Sequence, residues 1–266
     1  MPTAKTIVVT GASSGIGFEL ARRLYDDGHR VIGCSRTYPK QPYDFEYMIC
    51  DLKQESSMVD FSKAFSKQHD HLDVLINCAG MGVAGAIEET SYQQALKTHQ
   101  INVLGPFMLT QLLLPLLRNA SRPKVIMIGS VAGVISIPFQ AFYSMSKASL
   151  ASLTESLRLE LKPFGVDVSN VMPGDTKTDF TVHRQTNVLT DSPYKARVER
   201  SIKRMEHDER HGKDPITVVN VVRKLMRKKR MKAHVVVGFK YKVIVWLAKR
   251  LPMRWRERVV YKLYGK

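Results

Sequence analysis

The 266-residue chain has only three cysteines, Cys34, Cys50 and Cys78, and no two of them stand at a metal-ligand spacing. So few thiols exclude a disulfide framework and a cysteine-based metal site. They read as reduced thiols near strand ends in a cytoplasmic protein. Long hydrophobic runs are also missing. The longest near the C-terminus is "VIVWLA", residues 243 to 248, against the roughly 20 residues that a helical membrane span needs. The opening "MPTAKTIVVTGAS" lacks the apolar stretch of a secretion signal, so neither a signal peptide nor a spanning helix is expected. No internal repeat or low-complexity segment occurs. Acid is scarce at one end: residues 1–183 hold 17 Lys/Arg and 17 Asp/Glu, whereas residues 184–266 hold 24 against 7. The whole net charge of +17 therefore lies in the last third. Such asymmetry fits an anionic partner or surface, or equally a solvated basic exterior. No nucleic-acid reader pattern accompanies it, and nucleic acid is not expected as a partner.

What is present is an alternation. Short apolar runs stand at 5–10, 30–34, 45–50, 74–77, 124–129, 166–172 and 234–238, separated by helical patterns of ten or more residues. Seven strands alternating with helices predict βαβ units and a mostly parallel sheet. The runs are apolar throughout rather than alternating, as strands covered on both faces are. The expected fold is a doubly wound α/β sheet of seven strands with helices on both faces. It forms one domain, with a nucleotide-binding core over 1–185 and a substrate-loop and basic amphipathic region over 186–266. The stretch 175–213 shows no strand pattern and reads as a long loop with one or two helices.

The first strand runs into "TGASSGIG", residues 10–17. Glycines at 11, 15 and 17, with Ser13, Ser14 and Ile16 between them, make a tight turn at a helix N-terminus, where free N–H groups and the helix dipole suit a pyrophosphate. An acid about 20 residues further on, at the end of the second strand, would hold the ribose hydroxyl of NAD. Here no acid occurs between Asp27 and Asp44, and Ser35 and Arg36 fill the place. A guanidinium suits a 2′-phosphate, so NADP(H) is expected in preference to NAD(H). Asp51 and Leu52 follow the third strand, where an acid could meet the adenine amino group or merely cap the next helix. "NCAG", residues 77–80, places Asn77, Ala79 and Gly80 at a strand's carboxyl end, where open α/β sheets bind ligands.

The fifth strand exits through "IGSVAG" to Ser130, and Tyr143 and Lys147 follow four residues apart on one helical face. A free tyrosine titrates near 10, and a neighbouring ammonium favours its phenolate, which is the tuning that general acid–base chemistry asks for.

Taken together, residues 5 to 180 resemble the short-chain dehydrogenase/reductase superfamily, in its group with a TGxxxGxG turn and a YxxxK pair. The motifs that carry the resemblance are "TGASSGIG", "NCAG", the helical asparagine of "INVLGPF", "IGSVAG", "YSMSK" and "PGDTKT", in the family's order. The resemblance implies a Rossmann-like fold and a catalytic tetrad of Asn102, Ser130, Tyr143 and Lys147. Tyr143 would be the proton donor or acceptor, Ser130 the hydrogen-bond partner of the substrate oxygen, and Lys147 the group that lowers the tyrosine pKa and holds the nicotinamide ribose. Asn102 would anchor a proton-relaying water. Pro173, Gly174, Thr176 and Thr178 match the segment that packs on the nicotinamide. Position 78 is Cys where the family often has a second Asn, and position 176 is Thr where an aliphatic is common, so either threonine could meet the nicotinamide. No metal is implied, and the resemblance also implies a homo-oligomer built through helices near 91–118 and 142–162.

Beyond about 185 no motif transfers. Residues 239–266 combine apolar positions at helical spacing with many cations: Phe239, Val243 and Leu247 share one face, as do Trp255, Val259 and Leu263, with Pro252 between two helices. Such helices could cover the substrate cleft, meet another subunit, or lie on an anionic membrane surface. The leading expectation is an NADP(H)-dependent oxidoreductase that interconverts a hydrophobic, lipid-like ketone or aldehyde and its alcohol, cytoplasmic, with peripheral membrane association as an open alternative. A 3-oxoacyl-carrier reductase is the alternative, and a non-enzymatic NADP(H) sensor ranks lower because Ser130, Tyr143 and Lys147 are all present.

Overall fold

The computed structural model of the chain describes residues 4–178, 180 and 184–266. Seven strands form one parallel sheet: β1 (Thr6–Thr10), β2 (Arg30–Ser35), β3 (Glu46–Ile49), β4 (Val74–Asn77), β6 (Lys124–Ile128), β7 (Asp167–Met172) and β9 (His234–Val236). Their order across the sheet is β3-β2-β1-β4-β6-β7-β9. These are the seven runs marked in the sequence. Apolarity without alternation has the expected cause, because each central strand is covered twice. In β1, Ile7 and Val9 belong to one core layer and Val8 to the other, as the two-residue period of a strand requires.

Helices α1 (Gly15–Asp26) and α7 (Ile216–Arg227) cover the first face, with Leu20, Leu24, Val218 and Val222 fully buried. Helices α2 (Glu55–Gln68), α4 (Gly105–Arg118) and α5 (Ala141–Glu160) cover the second through Phe61, Phe65, Leu109, Leu113, Leu117 and Leu150. Each such side chain contributes about 1.5–3 kcal/mol by leaving water.

Helix α3 (Tyr92–His99) starts at a Ser91–Gln94 capping box and runs through a π-helical turn, Gln100–Leu104, into α4. The joined run Tyr92–Arg118 is long and apolar enough to cross a membrane by length and composition. The sequence reading weighed only the C-terminal run and overlooked this one. Its buried leucines pack beneath the sheet, so much of its apolarity serves the core.

Two features lack any sequence signal. A two-residue parallel pair joins β5 (Val83–Ala84) to β8 (Gln185–Thr186) inside the stretch expected to be strand-free. Two residues are too few to show a period. The last third is also less separate than its composition implies. After α6 (Lys195–Arg210), strand β9 pairs with β7 and completes the sheet. Helix α8 (Phe239–Arg250) then leaves the carboxyl end of β9, and α9 (Met253–Val260) follows after Pro252. Both helices therefore rise from the sheet edge on which the strand-to-helix turns lie.

Candidate active site

The strand order reverses between β1 and β4, and the turns leaving these two strands part there to open a crevice. Thr10, the last residue of β1, ties the turns together: its Oγ1 accepts hydrogen bonds from the N–H groups of Cys78 and Ala79, both at 3.0 Å. The sequence reading missed Thr10, although a β-branched hydroxyl residue heading a glycine turn is a fair signal. Inside the turn, a Cβ at position 17 would come within 2.3 Å of the Gly11 carbonyl oxygen. Only glycine lets α1 begin so close to the strand it follows. A cleft of about 810 Å³ starts here and is lined by Gly11, Ser13, Ser14, Gly15, Ile16 and Gly17.

At the end of β2 the cleft is lined by Ser35, Arg36 and Thr37, and past β3 by Asp51 and Leu52. The Ser35 hydroxyl already donates to Thr37 O at 2.7 Å and lies 2.6 Å from the Tyr47 phenol. That leaves the exposed Arg36 as the group able to reach an anion. Asp51 is not the cap of α2, a position held by Gln54. Its Oδ1 instead accepts from Lys53 N at 3.0 Å, and the residue lines the cleft.

Two asparagines expected in the cleft stand behind its wall. Asn77 is 1% exposed and donates to Thr110 Oγ1 at 3.1 Å, bracing β4 against α4. Asn102, also 1% exposed, lies in the π-helical turn and clasps the Met81 backbone. Its Oδ1 accepts from Met81 N at 2.8 Å, while Nδ2 donates to Met81 O and to Ser146 Oγ, each at 2.9 Å. An amide so fully committed holds the loop after "NCAG" in place and does not itself reach a ligand. The widened turn sets it at this depth, a common use of π-bulges. Cys78, Ala79 and Gly80 do line the cleft.

Ser130 caps a short 3₁₀ turn after β6, its Oγ accepting from Ala132 N at 3.1 Å, and it hydrogen-bonds the phenol of Tyr143. Helix α5 presents Tyr143 and Lys147 to the same wall. The Lys147 ammonium lies 5.8 Å from the Tyr143 ring centre and donates to the Ile128 carbonyl at 2.9 Å. Burial pushes the Tyr143 phenol up to about 12, against a lowering by the Ser130 hydrogen bond, and pushes Lys147 down to about 8. The lowering of Tyr143 expected from the Lys147 ammonium is not found: burial dominates, and the cation that acts on the phenol is Arg184. Burial disfavours the charged forms of both Tyr143 and Lys147. Phe180 packs on the Tyr143 ring with centroids 5.6 Å apart.

Pro173, Gly174, Thr176 and Thr178 complete this wall. Thr178 lies against Gly15 at the phosphate end, whereas Thr176 donates to the Gly174 carbonyl at 3.0 Å. Two partners here were invisible in the sequence. Tyr241 of α8 lies flat on Gly174, where a Cβ would come within 2.2 Å of its ring, and its hydroxyl bonds the Asp175 carboxylate and accepts from Asp175 N at 3.1 Å. Apolar side chains also line the cleft, among them Ile135, Ile137 and, from the C-terminal segment, Ile244, Leu247, Val259 and Leu263, together with the charged Asp175, Glu209 and Arg256.

Residues 5–188 match the short chain dehydrogenase family. The chain is similar to the 3-ketodihydrosphingosine reductase of Bacteroides thetaiotaomicron, 33% identical over 97% of this chain and 98% of that protein. Among solved structures it is similar to a short-chain dehydrogenase from Streptomyces avermitilis, with a TM-score of 0.81 and 26% identity over 98% of this chain and 97% of that one. It is also similar to RhlG of Pseudomonas aeruginosa in an NADP active-site complex, with a TM-score of 0.74 and 27% identity over 90% and 97% of the two chains. A crevice at the β1/β4 reversal that leads from a glycine turn to a serine, tyrosine and lysine on one wall agrees with these likenesses: the chain belongs to the short-chain dehydrogenase/reductase family of NAD(P)-binding oxidoreductases.

Proposed function

We propose that the protein is an NADP(H)-dependent reductase of long-chain, lipid-like ketones. The observation that carries this reading is that one cleft is lined both by the glycine turn, Ser130, Tyr143 and Lys147 and by the aliphatic Ile135, Ile137, Ile244, Leu247, Val259 and Leu263. The glycine turn, α1 and Thr178 would hold the pyrophosphate, Arg36 the 2′-phosphate, and Thr176 with Gly174 the nicotinamide side. The nicotinamide, when bound, supplies a hydride to the carbonyl carbon. Tyr143 Oη then gives its proton to the carbonyl oxygen, and the Ser130 hydroxyl donates a hydrogen bond to that oxygen as charge develops on it. A phenol held near 12 is fully protonated at neutral pH and ready to donate. Lys147, anchored on Ile128 O, stands where its positive form steadies the phenolate left behind. Asn102 acts as a positioning residue through Met81.

Preference for NADP(H) is supported by Arg36 and by the lack of any acid from His29 to Tyr43. A lipid-like substrate is supported by the aliphatic walls and by the activity named for the Bacteroides relative. 3-Ketodihydrosphingosine carries an ammonium beside its ketone. Asp175 and Glu209 both line the cleft, but both already have partners, Glu209 in Arg184 and Asp175 in the Tyr241 hydroxyl, so neither argues for a cation near the carbonyl. Leu104 of the π-helical turn, Phe107 of α4, and Met145 and Leu159 of α5 are exposed and favour a homo-oligomer through these helices.

The test is titration of the purified protein with NADPH and NADH, followed by NADPH oxidation on ketones of increasing chain length and on a 3-oxoacyl-carrier thioester. Turnover that rises with alkyl length and prefers NADPH supports the proposal. Preference for the carrier thioester would make the acyl-carrier reductase the better reading, and tight NADPH binding without turnover would leave a sensor.

A further inference from the structure

Residues 239–266 carry nine Lys/Arg and one acid, Glu257. Helices α8 and α9 turn one set of side chains inward to wall the cleft and leave a second set outward. The outward set is unusual for a soluble surface: Phe239 is 82% exposed, Trp246 53%, Met253 57% and Trp255 58%. None of these four lines the cleft. Around them stand Lys240, Lys242, Lys249, Arg250, Arg254 and Arg258, all exposed. The tryptophans are paired with cations: the Arg250 guanidinium lies 4.2 Å from the Trp246 ring centre and that of Arg258 lies 5.3 Å from Trp255. Tryptophan beside cations on a short amphipathic helix is the composition of a surface that sits in the headgroup layer, ring in the apolar boundary and charge among phosphates. The rim of the cleft belongs to the same surface, since Leu247, Leu251, Val259 and Leu263 line the cleft yet are 41–54% exposed.

We propose that α8 and α9 seat the protein on an anionic lipid bilayer with the mouth of its cleft against the lipid, so that the substrate enters from the membrane and not from water. Charge selects this occupant. A second copy of the chain would set two faces of like charge against each other, whereas an anionic bilayer neutralises this one. The route of entry rests on the lipid-like substrate proposed above; the seating itself does not.

The experiment is co-sedimentation of the full chain with NADPH on vesicles of phosphatidylglycerol and phosphatidylcholine, and on phosphatidylcholine alone, with tryptophan emission read in parallel. Binding to the anionic vesicles should exceed that to the zwitterionic ones by at least about tenfold at low salt, since each cation near the surface contributes about fivefold. It should weaken severalfold as salt rises, and the emission should shift to the blue. The variant Trp246→Glu/Lys249→Glu/Trp255→Glu should lose binding and keep its turnover of a short, water-soluble ketone, which shows that it is folded. No binding of the wild type to anionic vesicles at low salt overturns the proposal. So does sedimentation analysis in which the wild type self-associates and the triple variant alone comes apart, because the face is then a subunit interface. Vesicle binding without long-chain reduction would sink the proposed substrate and leave the seating intact. Long-chain reduction in detergent without vesicle binding would do the reverse.

Discussion

The first 183 residues and the last 83 of this chain follow different rules. The first part is electrically balanced and carries the glycine turn, Ser130, Tyr143 and Lys147. The second carries the entire net charge and exposes large apolar side chains along its final helices. Yet they share one cleft, to which the first part gives Ser130, Tyr143 and Lys147 and the second gives aliphatic side chains. The contrast separates what an oxidoreductase must do from what it must select. Proton donation tolerates few side chains at few positions. A chamber for an alkyl chain needs only apolar volume, which many sequences supply.

If that division holds, Tyr143→Phe should lower turnover by about 10²–10⁴-fold while NADPH still binds, as measured by single-turnover kinetics and fluorescence titration. Survival of appreciable turnover would move the proton donor elsewhere. Arg36→Asp tests the nucleotide end. The ratio of kcat/KM for NADPH over NADH should fall by about a hundredfold, from loss of a charge-assisted contact and gain of repulsion. An unchanged ratio would mean that Arg36 is only a surface residue.

Leu263→Asp tests the aliphatic lining. The ratio of kcat/KM for a long-chain ketone over a short one should drop by about tenfold or more, since a charge replaces apolar surface beside the alkyl chain. A drop shared equally by both substrates would place the chain elsewhere in the cleft.

The smallest expected effect concerns stability. Lys147 is 5% exposed and its folded-state pKa is lowered from 10.5 to about 8 by burial. Between those values the unfolded chain holds a proton that the folded chain has released, so the group's destabilising effect is full below pH 8 and fades as pH rises towards 10.5. Lys147→Met should therefore stabilise the inactive protein by roughly 1–2 kcal/mol at pH 7, after allowing for the lost bond to Ile128 O. That is about 2–8 °C in melting temperature for a chain of this size. The advantage should shrink from pH 8 upward in paired melting curves. A variant that melts below the wild type at pH 7 would contradict the burial that sets the lysine's value.

The sheet was legible because parallel strands covered on both faces announce themselves as uninterrupted β-branched runs, and all seven lie where those runs stand. The glycine turn and the Tyr143/Lys147 pair were legible because each is local, its spacing set by a turn or by one turn of helix. What escaped was long-range or too short to show a period. Tyr241 meets Asp175 across 66 residues of sequence, and nothing near either one marks the other. Asn77 and Asn102 were read as facing the cleft because a motif gives position along the chain and not depth. The structure puts both a layer back, one against Thr110 and the other around Met81. The tuning of Tyr143 was misjudged for a related reason: spacing shows that a lysine is near, but only packing shows how dry the pair is.

The Tyr241 hydroxyl gives the molecule a thermodynamic symmetry. It joins α8 to the segment that follows β7, so ordering either piece makes the other cheaper to order. If α8 meets a lipid surface as proposed, linkage requires that whatever factor a nucleotide bound in the cleft adds to that affinity, the surface returns to the nucleotide. Tyr241→Phe should leave both affinities standing and erase the factor between them.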